Sequence, residues 1–134
     1  MIEIVQPDDF HHHFRDGEVL GDVAHFAMQS FGRALAMPNL NPPVRTLTDA
    51  KAYKQRIMAF KPANSTFDLL MTIYLTDLTT PAEIIEAKAS GIVYAAKLYP
   101  AGATTNSQHG VTSVSKIESV LQVTCCCKQS HIPT

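Results

Sequence analysis

The stretch Thr66-Phe-Asp-Leu-Leu-Met-Thr-Ile-Tyr-Leu75 is almost continuously apolar. Such a run is typical of a strand that is covered on both faces, as in a parallel sheet. Helical patterns flank it, because apolar residues recur at helical spacing in 48–60 before it and after the capping threonines 79 and 80. Working outward, further strands are predicted at 2–5 leading into 10–14, at 33–37 and at 92–99, and further helices at 16–30 and 113–121.

This alternation predicts an α/β fold of about four βα units with right-handed crossovers. Two architectures remain open, a doubly wound open sheet and part of a (β/α)8 barrel. No glycine-rich turn of the dinucleotide type follows the first strand, which counts against the open sheet. A complete barrel needs about 250 residues, so these 134 residues would form the first half of one, truncated.

Composition limits the classes of partner. The chain has 11 Lys and Arg against 12 Asp and Glu, a formal net charge of −1, so no polybasic surface for nucleic acid is expected. No apolar run approaches the ~20 residues of a membrane span, and no secretory signal is visible, so no membrane partner is expected. The only cysteines are the adjacent Cys125, Cys126 and Cys127. They cannot form a disulfide framework, and a reducing, cytoplasmic location is expected.

The first candidate for chemistry is Asp8-Asp-Phe-His-His-His-Phe-Arg-Asp-Gly17. Residues two apart in a strand share a face, so His11, His13 and Arg15 are predicted to point one way and His12 the other. Two imidazoles placed like this can converge on one metal ion, and an arginine beside them can clamp a carboxylate. On the pattern alone, a histidine-rich surface loop is an equal alternative.

The second candidate is Lys97, predicted to share a strand face with Val93, Ala95 and Tyr99. A buried ammonium is costly to desolvate. Such a lysine either reaches water at the end of the strand or does covalent chemistry as a neutral amine. In the second case it forms a Schiff base, or it reacts with CO₂ to give a carbamate that bridges metals.

Four segments, 6–17, 37–40, 74–77 and 95–107, together resemble dihydroorotases of the single-function bacterial and plant type, in the amidohydrolase superfamily. The most specific part is Lys97-Leu-Tyr-Pro100. The resemblance covers residues 1–122, taken as the N-terminal half of the barrel, and leaves 123–134 as an unmatched tail. It implies two zinc ions, with ligands His11 and His13 and a bridging carboxylated Lys97, and substrate contacts from Arg15 and Asn39. It places no catalytic acid or base in this chain.

The resemblance implies that N-carbamoyl-L-aspartate and dihydroorotate, both small molecules, are interconverted in pyrimidine biosynthesis, by a homo-oligomer in the full-length form. The chain alone is expected to be inactive. The alternative is a non-catalytic half-barrel that acts only by associating with another subunit. The chain departs from the resemblance at Phe10 and His12, where the family has tryptophan and leucine, and His12 is expected to be structural. Cys125–Cys127 with His131 lack the spacing of a structural zinc site.

Overall fold

The computed structural model describes residues 2–126. These residues form one parallel sheet, and helices lie in the connections between its strands. The sheet order is β1-β2-β3-β4, with every neighbouring pair parallel. The strands are β1 (Asp8–His12), β2 (Arg33–Ala36), β3 (Asp68–Tyr74) and β4 (Val93–Lys97). The helices are α1 (Leu20–Ser30), α2 (Leu47–Met58), α3 (Pro81–Ala89) and α4 (Glu118–Cys126). The predicted α/β class and its four βα units are confirmed.

Local sequence signals account for where two of the helices begin. Thr46 accepts a hydrogen bond from the backbone N–H of Asp49, whose side chain accepts from the Thr46 N–H in return. Thr80 and Glu83 make the same reciprocal pair ahead of α3. These capping boxes satisfy backbone donors that the first helical turn leaves unpaired.

The main apolar core lies between the sheet and the helices. Strand β3 contributes three side chains with at most 1% exposure, and α2 contributes Tyr53 and Ile57. The three from β3 are Leu69, Met71 and Ile73. Within residues 2–126, no helix is long and apolar enough to cross a membrane.

The predicted start of the first strand was wrong. Ile2, Ile4 and Val5 are at least 80% exposed, and the strand begins only at Asp8. Pro7 lies at this boundary: it has no N–H to donate, and its carbonyl accepts from Gly32 where pairing with β2 starts. The apolar residues before Pro7 do not extend β1, because no neighbouring strand within residues 2–126 pairs with them.

A bulge in β4 changes which residues share a face. Met71 pairs with Val93, but the next residue of β3, Thr72, pairs with Ala95, so Tyr94 is the extra residue. Val93 therefore lies on the helix-facing side, whereas Ala95 and Lys97 lie on the other side. The expectation that Val93 and Lys97 share a face was wrong, because strict alternation does not survive a bulge.

Candidate metal and carboxylate site

The face of the sheet opposite the helices carries the predicted histidine pair. The ring centroids of His11 and His13 are 5.2 Å apart. The ring of His12 lies 4.4 Å from that of Phe14, which is fully buried in the core between sheet and helices. The two sets of side chains therefore alternate across the end of β1, as the sequence predicted.

His12 makes contacts of a structural kind. Its Nδ1 lies 2.7 Å from Asp9 Oδ2, and its ring packs edge-on against Phe31. Asp9 and His12 share the helix-facing side because the pairing of β1 with β2 shifts register between them. Its Nε2 is buried without a hydrogen-bond partner among residues 2–126. His12 thus points away from the imidazoles of His11 and His13.

His13 is the more enclosed of the two imidazoles on the site face. Burial chiefly lowers the pKa of His13, the charges of Arg15 and His11 lower it further, and a hydrogen bond with Asn39 opposes them. A lowered pKa favours the neutral ring at neutral pH. A neutral imidazole keeps the lone pair that a metal ion requires.

Arg15 follows β1 with a left-handed backbone, φ 64°, and an exposed side chain. This conformation costs a non-glycine residue roughly 1–2 kcal/mol. The Tyr53 hydroxyl donates to the Arg15 carbonyl at 2.6 Å, so the turn is tied to α2. Its positive charge adds to the effect of burial in lowering the pKa of His13, and it opposes the effect of burial, which raises the pKa of Tyr99.

Asn39 follows β2 and is 5% exposed. Its side-chain Nδ2 donates to the Thr105 carbonyl at 3.2 Å, and its main-chain carbonyl accepts from Asn106 Nδ2 at 3.0 Å. Both partners belong to the loop between β4 and α4, residues 101–112, which therefore lies over the end of β2. Asn39 thus ties this loop to the end of β2.

Lys97 ends β4, and two strands, β2 and β3, lie between it and the histidines. It pairs in register with Tyr74, and its Nζ is 5.7 Å from the centroid of the Tyr99 ring. The rings of Tyr74 and Tyr99 stack at 5.0 Å, and the Tyr74 hydroxyl donates to the Asn106 carbonyl at 3.1 Å. Tyr99 is thus close to both Lys97 and Tyr74.

The sequence reasoning gave Tyr74 and Tyr99 no role at the site. Burial is the main cause that raises the pKa of each phenol, and the Tyr99 hydroxyl has no hydrogen-bond partner among residues 2–126. In the sequence, a role for Tyr99 is indicated by its position two residues after Lys97. Both phenols stay protonated at neutral pH and can donate a hydrogen bond.

The donor set fits part of a zinc centre. Two imidazole nitrogens are available on one face, and the amine of Lys97 would become an anionic oxygen donor only as a carbamate. Within residues 2–126, no three His, Cys, Asp or Glu side chains cluster as metal ligands. Cys127 and His131 lie outside the described residues, and α4 runs across the predicted boundary at residue 122.

No family model matches the chain. Curated proteins with similar sequences are dihydroorotases. The chain is 58% identical over 121 residues to dihydroorotases of Pseudomonas fluorescens strain Pf0-1 and Pseudomonas syringae pv. syringae strain B728a. Each match covers 90% of this chain and 35% of the relative. The chain therefore spans about a third of the length of the curated relatives it matches.

Solved structures of dihydroorotases are also similar to the chain. A dihydroorotase from Campylobacter jejuni is 36% identical, with a TM-score of 0.82, and the match covers 92% of this chain and 36% of that one. A dihydroorotase from Saccharomyces cerevisiae, in complex with 5-fluoroorotic acid, is 32% identical, with a TM-score of 0.79, over 87% of this chain and 32% of that one. An L-hydantoinase from Arthrobacter aurescens, 17% identical with a TM-score of 0.67, shares the fold.

Proposed function

We propose that this chain, which is homologous to dihydroorotases over 90% of its length, supplies the metal-binding and carboxylate-binding part of a dihydroorotase active site. The observation that carries the proposal is that the histidine pair, Arg15 and Asn39 all lie at the carboxyl ends of the adjacent parallel strands β1 and β2, where the Met37 N–H donates to the His12 carbonyl. Active sites of barrel enzymes lie at this end of the strands. The reaction proposed is the interconversion of N-carbamoyl-L-aspartate and dihydroorotate.

Arg15 and Asn39 are proposed to hold the substrate carboxylate. An exposed guanidinium offers a planar fork of donors that matches a carboxylate, and the amide of Asn39 can add one further donor. The bound compound of the yeast relative, 5-fluoroorotic acid, also carries a carboxylate. Fixing the carboxylate would orient the ring carbonyl for reaction.

His11 and His13 are proposed to bind zinc through neutral imidazoles. In a complete active site, Lys97 would add an anionic oxygen donor to the metal centre as a carbamate. When bound, zinc supplies Lewis-acid activation of water and of the substrate carbonyl. The cation–π contact with Tyr99 holds the Lys97 amine on the site face of the sheet. Tyr99 thereby limits the positions from which that amine can react.

The second candidate is that the chain acts only in association with another subunit. The observation that favours it is the sheet edge: within residues 2–126, β1 and β4 each have a neighbouring strand on one side only. Phe10 and Tyr94, at these edges, are 52% and 48% exposed. Unpaired edges with apolar side chains favour pairing with another chain.

The test of carboxylate binding is a ¹⁹F NMR titration of the zinc-loaded chain with 5-fluoroorotate. Arg15→Ala is expected to weaken binding by about tenfold to a hundredfold, because a hydrogen bond to a charged group contributes about 1.5–3 kcal/mol. The matched control is Arg45→Ala, which removes another exposed arginine and should leave the affinity unchanged. Equal losses in both variants would contradict the proposal.

Turnover separates the two candidates. The 134-residue chain alone is expected to show no appreciable hydrolysis of dihydroorotate, since its match covers only a third of the relatives and includes no predicted acid or base. Loss of one general acid or base typically costs 10²–10⁴-fold in rate. Turnover that Arg15→Ala abolishes would instead favour an assembly in which another subunit completes the site.

A further inference from the structure

Tyr53 lies in the middle of α2 and is fully buried, yet its hydroxyl has a specific polar partner. That partner is the carbonyl of Arg15, 38 positions away in sequence, at 2.6 Å. A buried hydroxyl is costly unless it is hydrogen-bonded. The contact therefore determines where the peptide that follows Arg15 must lie.

The turn after β1 needs such a contact. Arg15 has φ 64°, Asp16 is extended, and Gly17 has φ 72°. Glycine adopts the left-handed region readily, but arginine does so only where its surroundings hold it there. The strained residue is the one whose side chain is proposed to bind the substrate carboxylate.

A second side chain of α2 holds the next residue of the turn. Arg56 donates to both carboxylate oxygens of Asp16, from Nε at 3.2 Å and from Nη2 at 2.7 Å. Its guanidinium carbon also lies 5.3 Å from the centroid of the Tyr53 ring. Tyr53 and Arg56 are three residues apart and so share a face of the helix. One face of α2 thus holds two consecutive residues of the turn.

We propose that Tyr53 is a positioning residue: its hydroxyl, supported by Arg56, holds Arg15 in the left-handed conformation that presents the guanidinium to the site face. Arg15 binds the substrate, and Tyr53 acts through it without touching the substrate. The inference rests on the proposed function, since it gives that site its preorganised arginine. Preorganisation lowers the cost of binding because the conformation is fixed before the ligand arrives.

The test measures the backbone of Arg15 directly. In the isotopically labelled chain, the ¹³Cα and ¹³Cβ shifts and the amide–α-proton coupling of Arg15 report its φ. Tyr53→Phe keeps the ring in the core and removes the hydroxyl, so the left-handed signature of Arg15 should disappear or average. Tyr94→Phe removes the hydroxyl of a half-exposed tyrosine elsewhere and should leave Arg15 unchanged. A tyrosine that only packs the core would lower the Tm without moving the Arg15 signals, and that result would overturn the proposal.

A second variant covers the case in which Tyr53→Phe fails to fold. Arg56→Gln changes an exposed side chain and removes both the fork on Asp16 and the charge over Tyr53. It should shift the Arg15 signals in the same direction by a smaller amount. Unchanged Arg15 signals in a folded Arg56→Gln chain, with Tyr53→Phe unfolded, would overturn the proposal.

The ligand titration separates this inference from the function on which it rests. Tyr53→Phe should weaken 5-fluoroorotate binding by about threefold to tenfold, the equivalent of one neutral hydrogen bond, less than Arg15→Ala does. Undiminished affinity in Tyr53→Phe, with Arg15→Ala impaired, would overturn the positioning role alone. If Arg15→Ala binds as well as the unaltered chain, the proposed function fails, and the NMR signals of Arg15 still decide whether Tyr53 holds the turn.

Discussion

Gly110 allows the closest backbone approach in the loop over the site. An alanine there would place Cβ 2.3 Å from the Tyr99 carbonyl oxygen and 3.0 Å from that of Ser107. The obstacles are backbone atoms of two segments, so no side chain can rotate away. The loop would have to move outward by roughly 0.7 Å merely to reach the 3.0 Å below which Cβ contacts essentially never occur.

The energetic cost follows from the bonds at this point. The Val111 N–H donates to the Tyr99 carbonyl at 2.8 Å, the Ala101 N–H donates to the Val111 carbonyl at 3.0 Å, and the Gly110 N–H donates to the Ser107 carbonyl at 2.9 Å. Each such bond contributes about 1 kcal/mol net. If two or three are lost, Gly110→Ala should lower the free energy of unfolding by about 2–3 kcal/mol. The displaced loop should also release Asn39.

Urea unfolding, with hydrogen exchange of the Val111 and Ala101 amides, measures both effects. The matched control is Gly32→Ala, where the nearest atom to the new Cβ would be 3.6 Å away and a change within about 0.5 kcal/mol is expected. The reasoning would be refuted if Gly110→Ala changed stability no more than the control and left exchange of both amides as it was.

Three further predictions concern the site and its supports. Zinc analysis should show metal lost in His11→Ala and in His13→Ala but retained in His12→Ala; loss in His12→Ala alone would contradict the assignment of faces. Intact-mass measurement in bicarbonate should find no stoichiometric CO₂ adduct on this chain, since the bridged zinc centre that would stabilise it is incomplete; an adduct that Lys97→Ala removes would show that the ligands present suffice. The pKa of Asp77 is lowered from 3.8 to about 2, first by a hydrogen bond from Lys116 and then by those from Thr112. Its stabilising effect should therefore be complete above pH 3.8 and be lost as the pH falls through about 2, with faster exchange of the Thr112 amide, whereas Asp77→Asn should show no such step.

The sequence by itself determined the features that depend on near neighbours. The run at 66–75 indicated a buried strand because burial on both faces requires apolar residues at nearly every position. Thr80 with Pro81 marked the start of α3, since capping acts within one helical turn. The opposite orientation of His12 and His13 followed from strand geometry, which is also local.

Tertiary structure decided what depends on pairing between distant segments. The bulge at Tyr94 moves Val93 to the helix-facing side, and only the register with β3 shows it. The left-handed Arg15 is held by Tyr53, and Asn39 is held by the loop 101–112, through contacts across 38 and 66 positions of sequence. Propensities and periodicities describe a residue and its neighbours. A strained backbone and a shifted register persist only because remote contacts hold them in place.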